Sequence, residues 1–140
     1  MPDAEWFERE QLHFAAQDGD LSRIKHLLAE GSDINAFDDL GMTALHWAAK
    51  KEHLDVAAYL IEAGADVNAR HEPQIGNTAL GEIAGNCSFE MARLLVDSGA
   101  DPSIRGWMQL NALDRAKGRK RGDGPRVYAL LIEAVGRKST

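Results

Sequence analysis

Two separate blocks of this sequence return at the same spacing. Leu12-His13-Phe14-Ala15-Ala16 comes back as Leu45-His46-Trp47-Ala48-Ala49, and Gly31-Ser32-Asp33-Ile34-Asn35-Ala36 comes back as Gly64-Ala65-Asp66-Val67-Asn68-Ala69, each 33 residues later. Nothing else constrains the fold as strongly, because a fixed period of this length marks a supersecondary unit copied along the chain. A third copy carries Thr78-Ala79-Leu80 and Gly99-Ala100-Asp101-Pro102 at a shift of 35, which puts a two-residue insertion between Ala69 and Gly76. A fourth, degraded copy starts at Asn111-Ala112-Leu113 and runs through Val127 to Ala134. The 140 residues therefore read as one domain of about four units, spanning roughly 3–36, 37–69, 70–104 and 105–135, with 136–140 as a tail.

The second copy shows what one unit is. Asp38 suits an Asx-type turn ahead of Gly41, which sits where a tight turn needs left-handed backbone. Thr43 suits the N-cap of a first helix, and His46, three residues on, returns a bond to that cap in the manner of a capping box. Leu45, Ala48 and Ala49 share the i, i+3, i+4 face, and the alanines let a neighbouring helix come close. Lys51-Glu52-His53 is a polar turn into a second helix with Leu54, Val56, Ala57, Leu60 and Ile61 as its apolar face and Gly64 as its left-handed C′ residue. Such a helix–turn–helix unit with a projecting β-turn cannot bury its apolar face alone, so the units must stack.

The 33-residue period, with Thr43-Ala44-Leu45-His46 and Gly64-Ala65-Asp66-Val67-Asn68-Ala69, closely resembles the ankyrin repeat. The resemblance runs from Glu10 to Ala134. It is most specific in the second unit, clear in the first and third, and confined to the helix pattern in the fourth. It implies an all-α fold with short β-turn fingers, an α-solenoid of stacked helix–turn–helix units. The departures carry information too. Glu10 stands where the second unit has Thr43, and Asp3 is read as the cap of an extended helix carrying Trp6, Phe7 and Leu12, which makes the first unit an N-terminal cap. The third unit has Gly81 in place of the motif histidine and Ile83 in place of alanine. Gly81 and Gly85 each cost about 1 kcal/mol against alanine, so its first helix is expected to be the weakest. The fourth has Asn111 and Asp114 as a substitute cap pair, an inter-helix loop (118–124) three residues longer than the others, and Pro125 suited to the first turn of the last helix.

Residues that carry chemistry are sparse. The chain has no His-Glu-x-x-His, no paired Cys-x-x-Cys and no phosphate loop. His13 and His46 hold one repeat position and read as structural through capping. His26 falls on the polar side of a helix, His53 in a turn, and His71 in the inserted finger, where surface exposure is expected. Asp33, Asp66 and Asp101 are one repeat position seen three times. Cys87, the single cysteine, reads as a small buried apolar residue, with a reactive thiol as the alternative. No catalytic residue, metal ligand, cofactor or small-molecule substrate is expected, and an enzyme is the minor alternative.

The resemblance also implies where a partner docks, namely on the hairpin tips and the exposed sides of the first helices. In the first unit that is Phe14, with Gln17 and Asp18 beside it. In the second it is Asp39, Leu40 and Met42 on the tip and Trp47, Lys50 and Lys51 on the helix. In the third it is His71, Glu72, Gln74, Ile75 and Asn77 on the longer finger, then Glu82 and Asn86. In the fourth it is Trp107, Met108 and Gln109, with Asp114 and Arg115 behind. Phe14, Trp47, Ile75, Trp107 and Met108 are expected to form an apolar row of the kind that makes binding hot spots, packing between units being the alternative for Phe14 and Trp47. The expected function is a non-catalytic protein–protein interaction module, an adaptor or an inhibitor or immunity-type protein.

Charge adds one asymmetry. The net charge is −6, yet residues 1–104 carry 7 Lys/Arg against 19 Asp/Glu, and residues 105–140 carry 9 against 3. Lys117-Gly118-Arg119-Lys120-Arg121 reads as a solvated loop, with an acidic partner or a nucleic acid as alternatives. Nucleic acid is disfavoured because no aromatic side chain interleaves in the loop and the body is acidic. Hydrophobic residues at 44% and charged residues at 27% exclude wholesale disorder. No apolar run reaches the length of about 18 residues that a membrane span needs, and the start Met1-Pro2-Asp3-Ala4-Glu5 has no leader character. A cytoplasmic monomer is expected, with a secreted effector as the alternative.

Overall fold

In the computed structural model the repeating pattern becomes a row of helix pairs. The structure describes residues 10–74 and 76–139, with side chains through 137. The expected helix from Asp3 through Trp6 and Phe7 lies outside the described residues. The pairs are α1 (Gln11–Asp18) with α2 (Leu21–Ala29), α3 (Ala44–Lys50) with α4 (Leu54–Glu62), α5 (Ala79–Ile83) with α6 (Phe89–Asp97), and α7 (Ala112–Ala116) with α8 (Gly124–Ser139). A short 3₁₀ turn, Glu72–Gln74, marks the third hairpin and a tight turn over Trp107–Gln109 the fourth, and no strand occurs among the described residues. The first helices pack in succession, α1 on α3, α3 on α5 and α5 on α7, and the second helices do the same from α2 to α8.

Residue size explains the stacking. Ala15, Ala16, Ala48, Ala49, Ala84 and Ala116 are fully or almost fully buried where first helices meet, so backbones approach closely. Leu12, Leu45 and Leu80 fill one repeat position, and Ile24, Val56, Leu60, Met91, Leu95, Val127 and Leu131 fill the second-helix layer. Each such side chain contributes about 1.5–3 kcal/mol by leaving water. Leu54 does not join them. It opens α4 and is 39% exposed, because the first residue of a second helix sits at the outer edge of the stack. At the C-terminus α8 runs on to Ser139 through residues expected to be a tail.

The helix ends follow the local chemistry. Thr43 Oγ1 accepts the His46 backbone N–H at 3.3 Å, and His46 Nδ1 accepts the Thr43 backbone N–H at 3.1 Å. Asn111 and Asp114 make the same reciprocal pair at 2.8 and 3.0 Å. In the third pair Thr78 caps Gly81 N–H, but Gly81 has no side chain to answer, and α5 is only 5 residues long. Gly85 lies beyond the end of α5, so of the two glycines only Gly81 weakens that helix.

The repeated histidine does more than cap. His46 Nε2 donates to the Asn77 carbonyl at 2.7 Å, reaching the next hairpin. His13 Nε2 lies 2.8 Å from the Ala36 carbonyl, although Glu10 makes no side-chain cap in the first pair. The His46 ring is thus held neutral between a donor and an acceptor. Burial pushes its pKa below the ordinary 6.5, against the Asn77 carbonyl and the nearby Glu82 and Asp38, which favour the charged ring.

The folded state therefore resists a proton that the unfolded chain accepts. Stability from His46 is present above pH 6.5 and declines as pH falls below it towards the lower folded value. Urea unfolding between about pH 7.5 and 5.5 is expected to show declining stability, with a His46 contribution of at most about 1.4 kcal/mol per pH unit. His46→Gln should flatten that dependence while costing about 2–4 kcal/mol at neutral pH through the lost cap and the orphaned Asn77 carbonyl.

Candidate functional site

The hairpin tips are built before any cleft exists between them. Gly41 has φ 74°, a left-handed conformation, and lets the chain reverse ahead of Thr43. Asp38 closes the turn: its Oδ1 accepts the Leu40 and Met42 N–H groups, both at 2.9 Å, and its Oδ2 accepts the Trp47 indole N–H at 2.7 Å. The inserted finger folds back on this turn. Gln74 donates its amide to the Asp39 carbonyl at 3.2 Å, and the His71 ring meets Phe37 edge-on at 5.0 Å.

Asn77 then joins three units. Its carbonyl takes the His46 bond, its Nδ2 donates to Glu82 Oε2 at 2.9 Å, and its Oδ1 accepts the Trp107 N–H at 3.0 Å and Arg115 Nη2 at 3.4 Å. The fourth hairpin approaches so closely at Gly106 that a Cβ there would collide with Asn77 Oδ1 and lie 2.9 Å from its Cα. Arg115 also donates to the Trp107 carbonyl at 3.1 Å, and Arg105 donates to the Gln109 carbonyl at 2.7 Å. Between these anchors Met108 and Gln109 sit at φ 60° and 62°.

The result is an open cleft of about 390 Å³ between α3 and the third and fourth hairpins. Of the residues expected to face a partner, Leu40, Met42, Trp47, Lys50, Gln74, Asn77 and Trp107 line it, together with Glu82 and Arg115. Leu40 and Trp107 form an exposed rim at 70% and 57% of their full accessibility. Trp47 is half-buried, packed on the core on one side and carrying the Lys50 ammonium 5.5 Å from its ring on the other. Lys50 also faces Glu82 at 3.6 Å. The walls are therefore mixed: Leu40, Met42, Trp47 and Trp107 supply apolar surface beside the amides of Gln74 and Asn77, one compensated charge pair and one arginine held by neutral acceptors.

Other expectations fare differently. Met42 is not exposed on the tip but 7% accessible, because Asp38 draws its backbone inward, and it reaches the cleft from below. Phe14 is half-buried on α1 and does not line the cleft. Asp39 points outward while its N–H donates to Glu10 Oε1 at 3.0 Å, and Lys51 has passed into the inter-helix turn. Glu72 borders a separate shallow depression with Asn35, Phe37 and Ile104, and Met108 and Gln109 are exposed outside the cleft. Ile75 lies outside the described residues, so the expected apolar row reduces here to Trp47 and Trp107 sharing one cleft. His71 is not surface-exposed but half-buried, with Nδ1 unpartnered against Phe37. The role of Asp38 in orienting Trp47 was not read from the sequence, although a carboxylate nine residues before an indole in a turn-helix unit is its signal.

Two expectations about chemistry meet the structure elsewhere. Cys87 is buried, and burial pushes its thiol up to about 11 even though Arg119 approaches within 4.0 Å. His53 is not an idle turn residue: its Nε2 lies 2.9 Å from the Gln17 carbonyl and its ring packs against Gly19. Among the described residues no group of three or more His, Cys, Asp or Glu side chains is arranged to hold a metal, and no helix is long and apolar enough to cross a membrane.

A family model described as ankyrin repeats (3 copies) matches residues 12–106. No curated protein matches the chain.

Asn77→Ala removes three side-chain bonds at once and is expected to cost about 2–3 kcal/mol in denaturant unfolding, with a shift in Trp107 emission as its tip loosens. The Cys87 thiol is expected to react with a disulfide reagent about 100-fold more slowly than free cysteine near neutral pH, and at the ordinary rate after unfolding.

Proposed function

The chain belongs to the ankyrin repeat family, whose members generally serve as protein–protein interaction modules, and from that premise we propose that it is a non-catalytic binding protein that holds a partner in the cleft between α3 and the third and fourth hairpins. The observation that carries this reading is convergence. Leu40, Trp47, Gln74, Asn77 and Trp107 come from three units far apart in sequence and meet around one space. Leu40 and Trp107 expose large apolar surface at its rim, where a monomer gains nothing from it. A tryptophan flanked by arginine and a satisfied amide is the composition of a binding hot spot.

The contact would work by anchor and frame. A partner's apolar side chain enters between Trp47 and Trp107 and releases water from both. The polar groups of Asn77 and Gln74 are already committed to the scaffold, so the walls stay fixed when the partner arrives, and little entropy is lost on binding. An adaptor and an inhibitor both use such a cleft. A monomer in a reducing compartment suits a buried lone thiol.

Partner capture with the wild type and with Trp107→Ala tests the reading. Trp107 is largely exposed, so the variant should fold with unchanged helicity, and the captured protein is expected to bind about thirtyfold more weakly, roughly 2 kcal/mol. Undiminished capture by a folded Trp107→Ala/Leu40→Ala variant would remove the cleft from the function.

A further inference from the structure

The basic stretch of the last pair is a solvated loop, as expected, but not a loose one. It joins α7 to α8 and so sits at the end of the helices away from the hairpin tips and their cleft. Arg119 holds it in place by donating to the Ala84 carbonyl at 3.2 Å and the Cys87 carbonyl at 2.9 Å. Asp123 fixes the far side by accepting the Phe89 N–H at 2.9 Å. One arginine of the stretch is thus consumed by structure, and the others are held out on a pinned backbone.

Those others lack any counter-charge. Lys50, Arg70, Arg93, Arg105 and Arg126 each face a carboxylate, and Lys25 stacks over Tyr59. Among the described residues, the exposed Lys117, Lys120 and Arg121 have neither an ion pair, a hydrogen bond nor a ring contact from their side chains, a state they share only with Lys51. This occurs in a chain whose first 104 residues carry 19 acidic against 7 basic side chains, so intramolecular partners would be plentiful if the fold allowed them to meet. Lys120 and Arg121 border a shallow depression of about 480 Å³ with Gly85, Asn86 and Gly118, Lys117 preceding it in the chain, and nothing lies within 4 Å of where a Gly118 side chain would be. An extended chain can therefore approach the backbone closely there.

We propose that this loop is a second docking surface, separate from the cleft, for an acidic segment of a partner protein. The occupant follows from charge and extent. Three unpaired cations within five residues of an anchored loop match a few carboxylates, while the acidic remainder of the chain repels a negative partner from other approaches and so orients it. A nucleic acid backbone is a longer polyanion that would have to lie across that acidic surface, and the loop offers it no aromatic ring to stack on.

Fluorescence anisotropy with a labelled octaglutamate peptide tests this on the full chain. The wild type is expected to bind at about 20 mM salt and to lose most of that binding at about 200 mM, as screening shortens the reach of the patch. Lys117→Ala/Lys120→Ala/Arg121→Ala, which leaves Arg119 and Asp123 intact, should keep its melting temperature and lose about tenfold in affinity. Trp107→Ala should bind the peptide as the wild type does. The proposal is overturned by absence of wild-type binding at low salt, by full binding in the triple variant, or by loss of binding in Trp107→Ala. It is equally overturned by tighter binding of octathymidylate than of the peptide, or by a wild-type dimer in sedimentation that the triple variant dissolves.

Discussion

Short helices and the hairpins between them leave backbone groups without partners, and here the side chains of the adjacent unit satisfy them. On the hairpin side, the Asn77 carbonyl meets His46, and the N–H groups of Asp66, Asp101 and Trp107 donate to Asn35, Asn68 and Asn77. On the inter-helix side, the Gln17 carbonyl meets His53, the Ser88 N–H meets Glu52, and the Ala84 and Cys87 carbonyls meet Arg119. A helix of five to nine residues is marginal alone, since nearly half or more of its backbone groups belong to its ends. Stacking is what completes it. Cohesion is then a chain of nearest-neighbour terms, and the strength of the stack is set unit by unit.

The cleft inherits its rigidity from that arrangement. Its walls come from three units, yet each is fixed by a bond that the scaffold already needs. Asp38 closes a turn and orients Trp47 with the same carboxylate, and Asn77 joins two hairpins while placing Glu82 and Trp107. The inserted finger, anchored by Gln74 and His71, shapes the cleft instead of hanging free. The shape of the cleft and the cohesion of the stack are thereby carried by shared residues, so loss of Asn77 affects both.

What could be read from the sequence was local in origin. The period fixed the pairs, and the cap residues Thr43, Asn111 and Pro125 fell where the helices begin, because these depend on a few adjacent residues. Much of the cleft was legible too, since repeat positions fix which side of a helix faces outward. The misreadings were of long range. His46 caps its helix as read, but its second bond, to the Asn77 carbonyl of the next unit, and the His13 bond to the Ala36 carbonyl were missed because those acceptors lie more than 20 residues away. Arg119 looked solvated because its partners, two carbonyls of the preceding unit, leave no trace in residue type. Met42 and Leu54 were displaced by one layer, Met42 inward by the turn that Asp38 closes and Leu54 outward by its place at a helix start.

The fourth tip carries one further implication. Met108 and Gln109 both adopt left-handed backbone, which costs a residue with a side chain roughly 1–2 kcal/mol. Glycine would take the same path without that cost, and the second hairpin uses it at Gly41, although Glu52 also turns the chain in this conformation between α3 and α4. Here it keeps two large side chains, one of them a methionine 65% exposed to water. A glycine pair at 108 and 109 would therefore make a sturdier protein. The tip is a place where the sequence forgoes available stability, which marks it as a point where thermostabilising changes and whatever the side chains contact pull in opposite directions.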